Sequence, residues 1–322
     1  MKKILFILLC IFSLTSCRTL NKYSHYIYSM NTIITVDIYA ESQSDASSYF
    51  DEIEKIYQLY NKLSSDYDTY NNICNIKTLN VNRSGIVQEE LYELLKYAFE
   101  IKEETNGYFE PFIGTLSHKW KDDVLNNENP IIPSNEYIQS QLDIINNSKI
   151  IFEENNKITL IGDANLDLGA IAKGYATQKV YDYLQNEGIK NYIINAGNSN
   201  VLLGEKPNEE NFKIGLKNLE GTAYYEILEL KNKAVVTSSY KEQNKQIDNI
   251  LYTHLINPKT GYPISDYASL TLIGNDSGLL DAYSTAVYSM QLDEIKEFIK
   301  TKNIDVIIYG PKDLIYSSVE NK

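Results

Sequence analysis

The chain has 322 residues, with 43 acidic against 30 basic side chains, a net charge of −13 and 43% hydrophobic residues. A field of that sign repels the phosphates of nucleic acid, so a nucleic-acid partner is excluded and any phosphate ligand must be held by local features. The length is enough to bury one or two hydrophobic cores.

Residues 1–16 read as a targeting segment outside the fold. Met1-Lys2-Lys3 is basic, and the apolar run 4–14 is short for a bilayer span. Leu14-Thr15-Ser16-Cys17 resembles the lipobox of bacterial lipoproteins. Cleavage there leaves Cys17 N-terminal and lipidated, on an exported, membrane-anchored protein facing the periplasm or the cell exterior. An ordinary cleaved signal peptide or a short anchor helix is the other reading. Residues 17–28 then form a lipidated tether or a lead-in strand, and one domain runs 29–322. Of the three cysteines, Cys10 leaves with the signal and Cys17 carries lipid. Cys74 remains as a single thiol, so no internal disulfide forms and stability rests on the core.

The β-branched run 32–39 predicts a strand. Tyr49, Phe50, Ile53, Ile56, Tyr57, Tyr60 and Leu63 fall at helical spacing across 45–63, and Leu91, Leu94, Leu95, Ala98 and Ile101 repeat it across 88–104. Composition turns to Asn, Glu, Pro and Ser at 126–148, which reads as a surface excursion. Strands are expected at 149–153, 157–162, 192–195, 212–217, 224–231 and 234–238. The polar, lysine-bearing stretch 240–249 reads as a loop. A helix at 292–300 and strands at 304–309 and 314–317 complete the chain. Without regular βαβ alternation the class is α+β.

Asp167-Leu168-Gly169-Ala170-Ile171-Ala172-Lys173-Gly174 follows the strand at 157–162 and opens a helix over 171–184. The free N–H groups of a first helical turn attract phosphate oxygens. Lys173 adds a movable charge, and Asp167 can accept from a base or hold a metal. Taken alone, this is equally an ordinary strand–turn–helix. Other polar turn segments are Met30-Asn31-Thr32, Gly107-Tyr108-Phe109-Glu110-Pro111, Asn195-Ala196-Gly197, Thr237-Ser238-Ser239, His254-Leu255-Ile256-Asn257-Pro258-Lys259-Thr260-Gly261 and Asp281-Ala282-Tyr283-Ser284-Thr285-Ala286.

In this order these segments resemble the ApbE family, the FAD:protein FMN transferases, over nearly the whole mature chain. The family's D-L-G-x-I-A-K-G is matched at every specified position, and its H-I-x-D-P-x-T-G and A-D-A-x-x-T-A closely. The resemblance implies a T-fold-like architecture, an antiparallel sheet with packed helices. It implies FAD in an extended pocket and one Mg²⁺ at the diphosphate. The metal ligands it implies are the Ala170 carbonyl, the Asp281 carboxylate and the Thr285 hydroxyl. Mg²⁺ favours hard oxygens, and residues four apart share one helix face. The implied FAD contacts are Met30, Tyr67, Tyr108, Phe109, Glu110, Asp167, Lys173 and Leu255. The implied catalytic groups are His254, as base for a hydroxyl nucleophile, and Lys173. The activity implied is transfer of FMN from FAD to a Thr or Ser hydroxyl of an exported acceptor protein, such as a subunit of a membrane redox complex, with AMP released. A Mg²⁺-dependent FAD pyrophosphatase and a non-enzymatic FAD-binding lipoprotein are the alternatives. The chain departs from the family pattern at Asn31, Glu110, Asn198, Ser199, Ser239 and Asn257, around the pocket.

Overall fold

The computed structural model describes residues 19–319; the targeting segment 1–16 and Cys17 lie outside them. The chain opens with a hairpin of β1 (Asn21–Ser29) and β2 (Thr32–Ala40), then α1 (Gln43–Ser64), α2 (Ile76–Asn82), β3 (Ser84–Ile86) and α3 (Glu89–Glu104). α4 (Gly114–Trp120) runs into a π-helical turn, Lys121–Leu125, before α5 (Asn135–Asn147), β4 (Lys149–Glu153) and β5 (Lys157–Ile161). Next come α6 (Ala172–Asn186), β6 (Tyr192–Ala196), β7 (Asn200–Leu203), β8 (Phe212–Lys217), β9 (Tyr224–Leu230) and β10 (Ala234–Ser239). β11 (Asn244–Ile247), β12 (Ile250–Thr253), β13 (Ser269–Gly274), α7 (Ser277–Tyr288), α8 (Leu292–Lys302), β14 (Asp305–Tyr309) and β15 (Leu314–Ser317) finish the fold.

Eight strands form one sheet in the order β1-β2-β6-β7-β10-β13-β14-β15, and every neighbouring pair is antiparallel. The class is α+β, as expected. Alternation sets which face packs: in β2, Ile34, Val36 and Ile38 are buried while Ile33 is 60% exposed. The inner face carries α1, α6 and α7. α1 meets it with the stripe Ala46, Phe50, Ile53, Tyr57, Tyr60 and Leu63. The β8–β9 hairpin belongs to no larger sheet and lies over the outer face.

Three stretches differ from the sequence reading. The excursion at 126–148 contains α5, whose Ile138, Leu142 and Ile145 bury one narrow stripe under a polar composition, with Ser134 capping the Tyr137 N–H. The expected loop at 240–249 ends in a hairpin, β11–β12. Its turn residues Asp248 and Asn249 both have positive φ, as a two-residue primed turn requires. The segment 17–28, read as a tether or a lead-in strand, is from Asn21 onward the latter: β1, an edge strand of the sheet.

α6 and α7 touch at Gly174. A Cβ there would lie 2.3 Å from Asp281 Cβ and 2.5 Å from the Ser277 carbonyl oxygen. Gly174→Ala gains about 1 kcal/mol of helix propensity, but its clash is with a backbone atom and a Cβ, which cannot swing aside. The variant should therefore lose roughly 2 kcal/mol net on chemical denaturation. An unchanged or higher midpoint would mean that the two helices part freely.

Candidate active site

A cavity of about 1400 Å³ opens where the β6–β7 turn, the start of α6, one side of α7 and the segment after β12 converge. Every implied metal, flavin and catalytic residue, from Met30 on the β1–β2 turn to Thr285 on α7, lines it, and of the departures Asn257 does not.

Asp281 is the most constrained of them. Only 6% exposed, it accepts the Gly174 N–H at 2.7 Å through Oδ2. Burial pushes its carboxyl above the usual range, opposed by Lys173, the Gly174 N–H and Asn200. Asn200 is fully buried; its Oδ1 accepts from Ser277 Oγ at 2.8 Å. Its Nδ2 makes no well-formed hydrogen bond among the described residues, yet acts on Asp281 closely enough to hold that carboxyl down. A carboxylate this desolvated, in one cavity with the Ala170 backbone and with Thr285 one helical turn on, gives a set of hard oxygens suited to a divalent cation. The helix start offers fewer free N–H groups than expected. Gly174 donates to Asp281, and Ala172 donates to the Leu168 carbonyl at 2.9 Å. No side chain caps α6, and Lys173 Nζ, donating to Ser199 Oγ at 2.8 Å, supplies the positive charge.

His254 follows β12 and is held from both ends by Gln243. Its backbone N–H donates to the Gln243 carbonyl at 3.1 Å, and its Nδ1 lies 3.2 Å from the same oxygen. A carbonyl can only accept, so Nδ1 carries the proton and Nε2 keeps its lone pair. Burial lowers the imidazole's pKa; the Gln243 bond opposes this, while Lys173 and Lys121 add to it. Asn257 does not orient the ring. Its amide donates to the Ser289 carbonyl at 3.3 Å and its Oδ1 takes the Lys259 N–H at 2.8 Å, which builds the turn before Gly261.

At the far end, Asp167 accepts from Ser117 Oγ at 2.6 Å and from the Gly169 N–H at 2.7 Å. Tyr67 stacks on His118 with centroids 4.8 Å apart, and its hydroxyl accepts from Lys121 Nζ at 3.0 Å. His118 pairs with Asp66 at 2.6 Å, and the ligand atoms of Asp66, His118 and Asp167 all lie within 4.8 Å of one another. The hydrogen bond to Asp66 raises the imidazole's pKa. The His118–Asp66 pair packs beside Asp167 and against the ring of Tyr67. Sequence reasoning missed His118, Asp66, Lys121, Asn200 and Gln243, none of which belongs to a periodic pattern or a quoted motif. Two expected flavin contacts are turned to protein partners. Glu110 accepts from the Phe112 N–H at 3.0 Å and pairs with Lys102 at 2.8 Å, and Tyr108 donates to Glu294 at 3.0 Å. Phe109 and Leu255 are buried edges of the wall.

The departures have local causes. Met30 and Asn31 both have positive φ, 52° and 57°, in the two-residue turn that pairs Ser29 with Thr32. Asn198, beside Gly197, has φ of 63°. After glycine, asparagine is a residue that enters this region readily. Ser199 receives Lys173, and Ser239 Oγ donates to the Ala268 carbonyl at 2.8 Å.

The ApbE family model matches residues 30–308. The FAD:protein FMN transferase of Klebsiella pneumoniae (strain 342) is 26% identical over 316 residues, covering 93% of this chain and 95% of its own. That of Vibrio cholerae O395 is 24% identical over 279 residues, covering 84% and 81%. Among solved structures, the ApbE protein of Thermotoga maritima superposes with a TM-score of 0.78 at 27% identity, over 94% of this chain and 97% of its own. The flavin transferase ApbE of Vibrio cholerae shares the fold with a TM-score of 0.75 at 21% identity, over 93% and 97%.

Proposed function

The chain belongs to the ApbE family, and from that premise we propose that it is an FAD:protein FMN transferase, moving FMN from FAD to a Ser or Thr hydroxyl of an exported acceptor protein and releasing AMP. The observation that carries the reading is the meeting of Lys173, Asp281, Thr285 and His254, its Nδ1 turned to the Gln243 carbonyl, in one cavity. That set suits phosphoryl chemistry, which needs charge stabilisation and a proton acceptor more than covalent help.

Mg²⁺ is the fitting cofactor, and the Ala170 carbonyl, Asp281 and Thr285 would hold it. Bound there, it supplies charge neutralisation on the diphosphate. The acceptor hydroxyl oxygen attacks the phosphorus on the FMN side. A new P–O bond forms to the acceptor, and the bond from that phosphorus to the bridging oxygen breaks. AMP leaves with that oxygen, and the hydroxyl proton passes to His254 Nε2. Lys173 steadies the phosphate oxygens, while Met30, Tyr67 and Leu255 contribute apolar or aromatic surface for the flavin and adenine rings.

The deciding assay incubates the chain from about Lys22 onward with FAD and Mg²⁺, with and without a hydroxyl-bearing acceptor. AMP together with covalent flavin, only when acceptor is present, supports transfer. AMP regardless of acceptor means a pyrophosphatase using water, and none at all means a flavin-binding protein.

The lipobox-like segment ending at Cys17 supports a lipid-anchored, exported enzyme, for which a subunit of a membrane redox complex is the acceptor we propose. Among the described residues no helix is long and apolar enough to cross a membrane. Cys17→Ser should move the protein from the membrane fraction to the soluble one, and retention would point to an uncleaved anchor.

Asp281→Asn keeps an oxygen for the Gly174 N–H while removing the charge. Turnover should fall at least ~10²-fold with an unchanged circular dichroism spectrum. A Mg²⁺ titration like the wild type's would remove Asp281 from the metal site. His254→Ala should cut turnover by ~10²–10⁴-fold with little change in FAD affinity. Because burial lowers its pKa, the active neutral ring persists into mild acid. The wild-type rate should therefore fall only below the ordinary imidazole value of about 6.5. A rate already halved above that value would contradict the assignment.

A further inference from the structure

Residues 213–219 line the cavity without a gap. Successive residues of a strand point to opposite faces. A cavity bordered by every residue from Lys213 to Lys217 therefore meets β8 along its edge. Among the described residues that edge is unclaimed, because β8 pairs with β9 alone in a two-stranded sheet. Across the groove stands the outer face of the large sheet, through Val201, Thr237 and Thr271. The hairpin is fixed over that face by Leu216 and Leu228 against Val235 and Ile273, and by Tyr225 stacked on Tyr309 with centroids 4.1 Å apart. The groove is one space with the end that holds Lys173 and His254.

Its charge is opposite to that of the chain. Lys213 and Lys217 line it, with Lys241 beside the hairpin tip at Gly221, and Glu242, the next residue, lines the same cavity from the β10–β11 connection, leaving three lysines against one carboxylate there. No carboxylate from β8, β9 or the facing strands lines it among the described residues. Lys213 shares an exposed pair with Glu229 at 3.4 Å, and Glu229 stays outside the groove.

We propose that this groove binds an extended, acidic segment of the acceptor protein, added as a strand along the free edge of β8, so that its Ser or Thr hydroxyl reaches Lys173 and His254. The inference rests on the transferase reading and names the partner's chemistry. Strand addition gives affinity through the main chain, and flanking side chains give selectivity. β8 offers a run of about six residues, roughly 20 Å. The cavity exceeds the ~300–1,000 Å³ of ordinary small-ligand sites, as a site for two reactants must.

The test uses synthetic threonine peptides with aspartate or lysine flanks, a whole acceptor protein, and the exposed double variant Lys213→Glu/Lys217→Glu. Wild type should modify aspartate-flanked peptides about tenfold more efficiently, through KM. The double variant should invert that order with FAD affinity unchanged. N-methylation of the peptide backbone should abolish the preference for the acidic peptide. Equal use of both peptides by wild type, an unchanged order in the variant, or full activity of the variant on the whole acceptor overturns the groove and leaves the transferase reading standing. A dimer that the double variant dissociates in sedimentation assigns the edge to a second copy and overturns it likewise. AMP release from FAD with no covalent flavin on any acceptor overturns the transferase reading, and the groove with it.

Discussion

Gly174 donates its N–H to Asp281 at 2.7 Å, and that bond exists because residue 174 has no side chain to hold α6 and α7 apart. From this contact the rest of the cavity follows. It fixes the start of α6 against the middle of α7. It also buries the carboxylate, leaving an anion with hydrogen-bond donors and one lysine but no full neutralisation nearby. Burying charge is costly unless it is compensated. A carboxylate held this way suits the cation proposed above.

Lys173 unites the two halves of the chemistry. Its charge lowers the proton affinity of both Asp281 and His254. One cation thus favours an ionised carboxylate and a neutral imidazole at the same pH, the two states that the proposed transfer requires. The chain as a whole is strongly acidic, so this local field acts against the long-range one, and the low-dielectric setting gives it weight. Ser199 leaves Lys173 on a neutral partner, so more of its charge reaches the cavity.

Periodic segments were legible in the sequence. The alternation of β2, the stripes of α1 and α3 and the strand–turn–helix at 157–184 all stand where spacing put them. α5 was not, because three apolar residues in an asparagine-rich stretch bury as much of a short helix as it needs. The β11–β12 hairpin was hidden by Asn-Lys-Gln-Ile, which pairs through backbone and turn geometry without strong strand propensity. The motif residues do share one cavity, but their immediate partners could not be read. The Gln243 carbonyl that fixes the His254 tautomer is a backbone atom, and any residue type would supply it. Asn200 stands in no pattern that hints at a buried amide beside a carboxylate. Glu110 and Tyr108 met Lys102 and Glu294, partners set by packing.

β1 carries a mechanical consequence. It runs nine residues along the sheet edge, about 30 Å by strand rise, and the Met30 turn at its far end borders the cavity. A chain held at Cys17 has only three residues of slack before that strand begins. An anchor there would act as a short leash on a stiff rod, setting the height of the cavity above the bilayer to within a few nanometres. Acceptor hydroxyls inside that shell could be reached by tilting alone, and those farther out would have to come down to the enzyme.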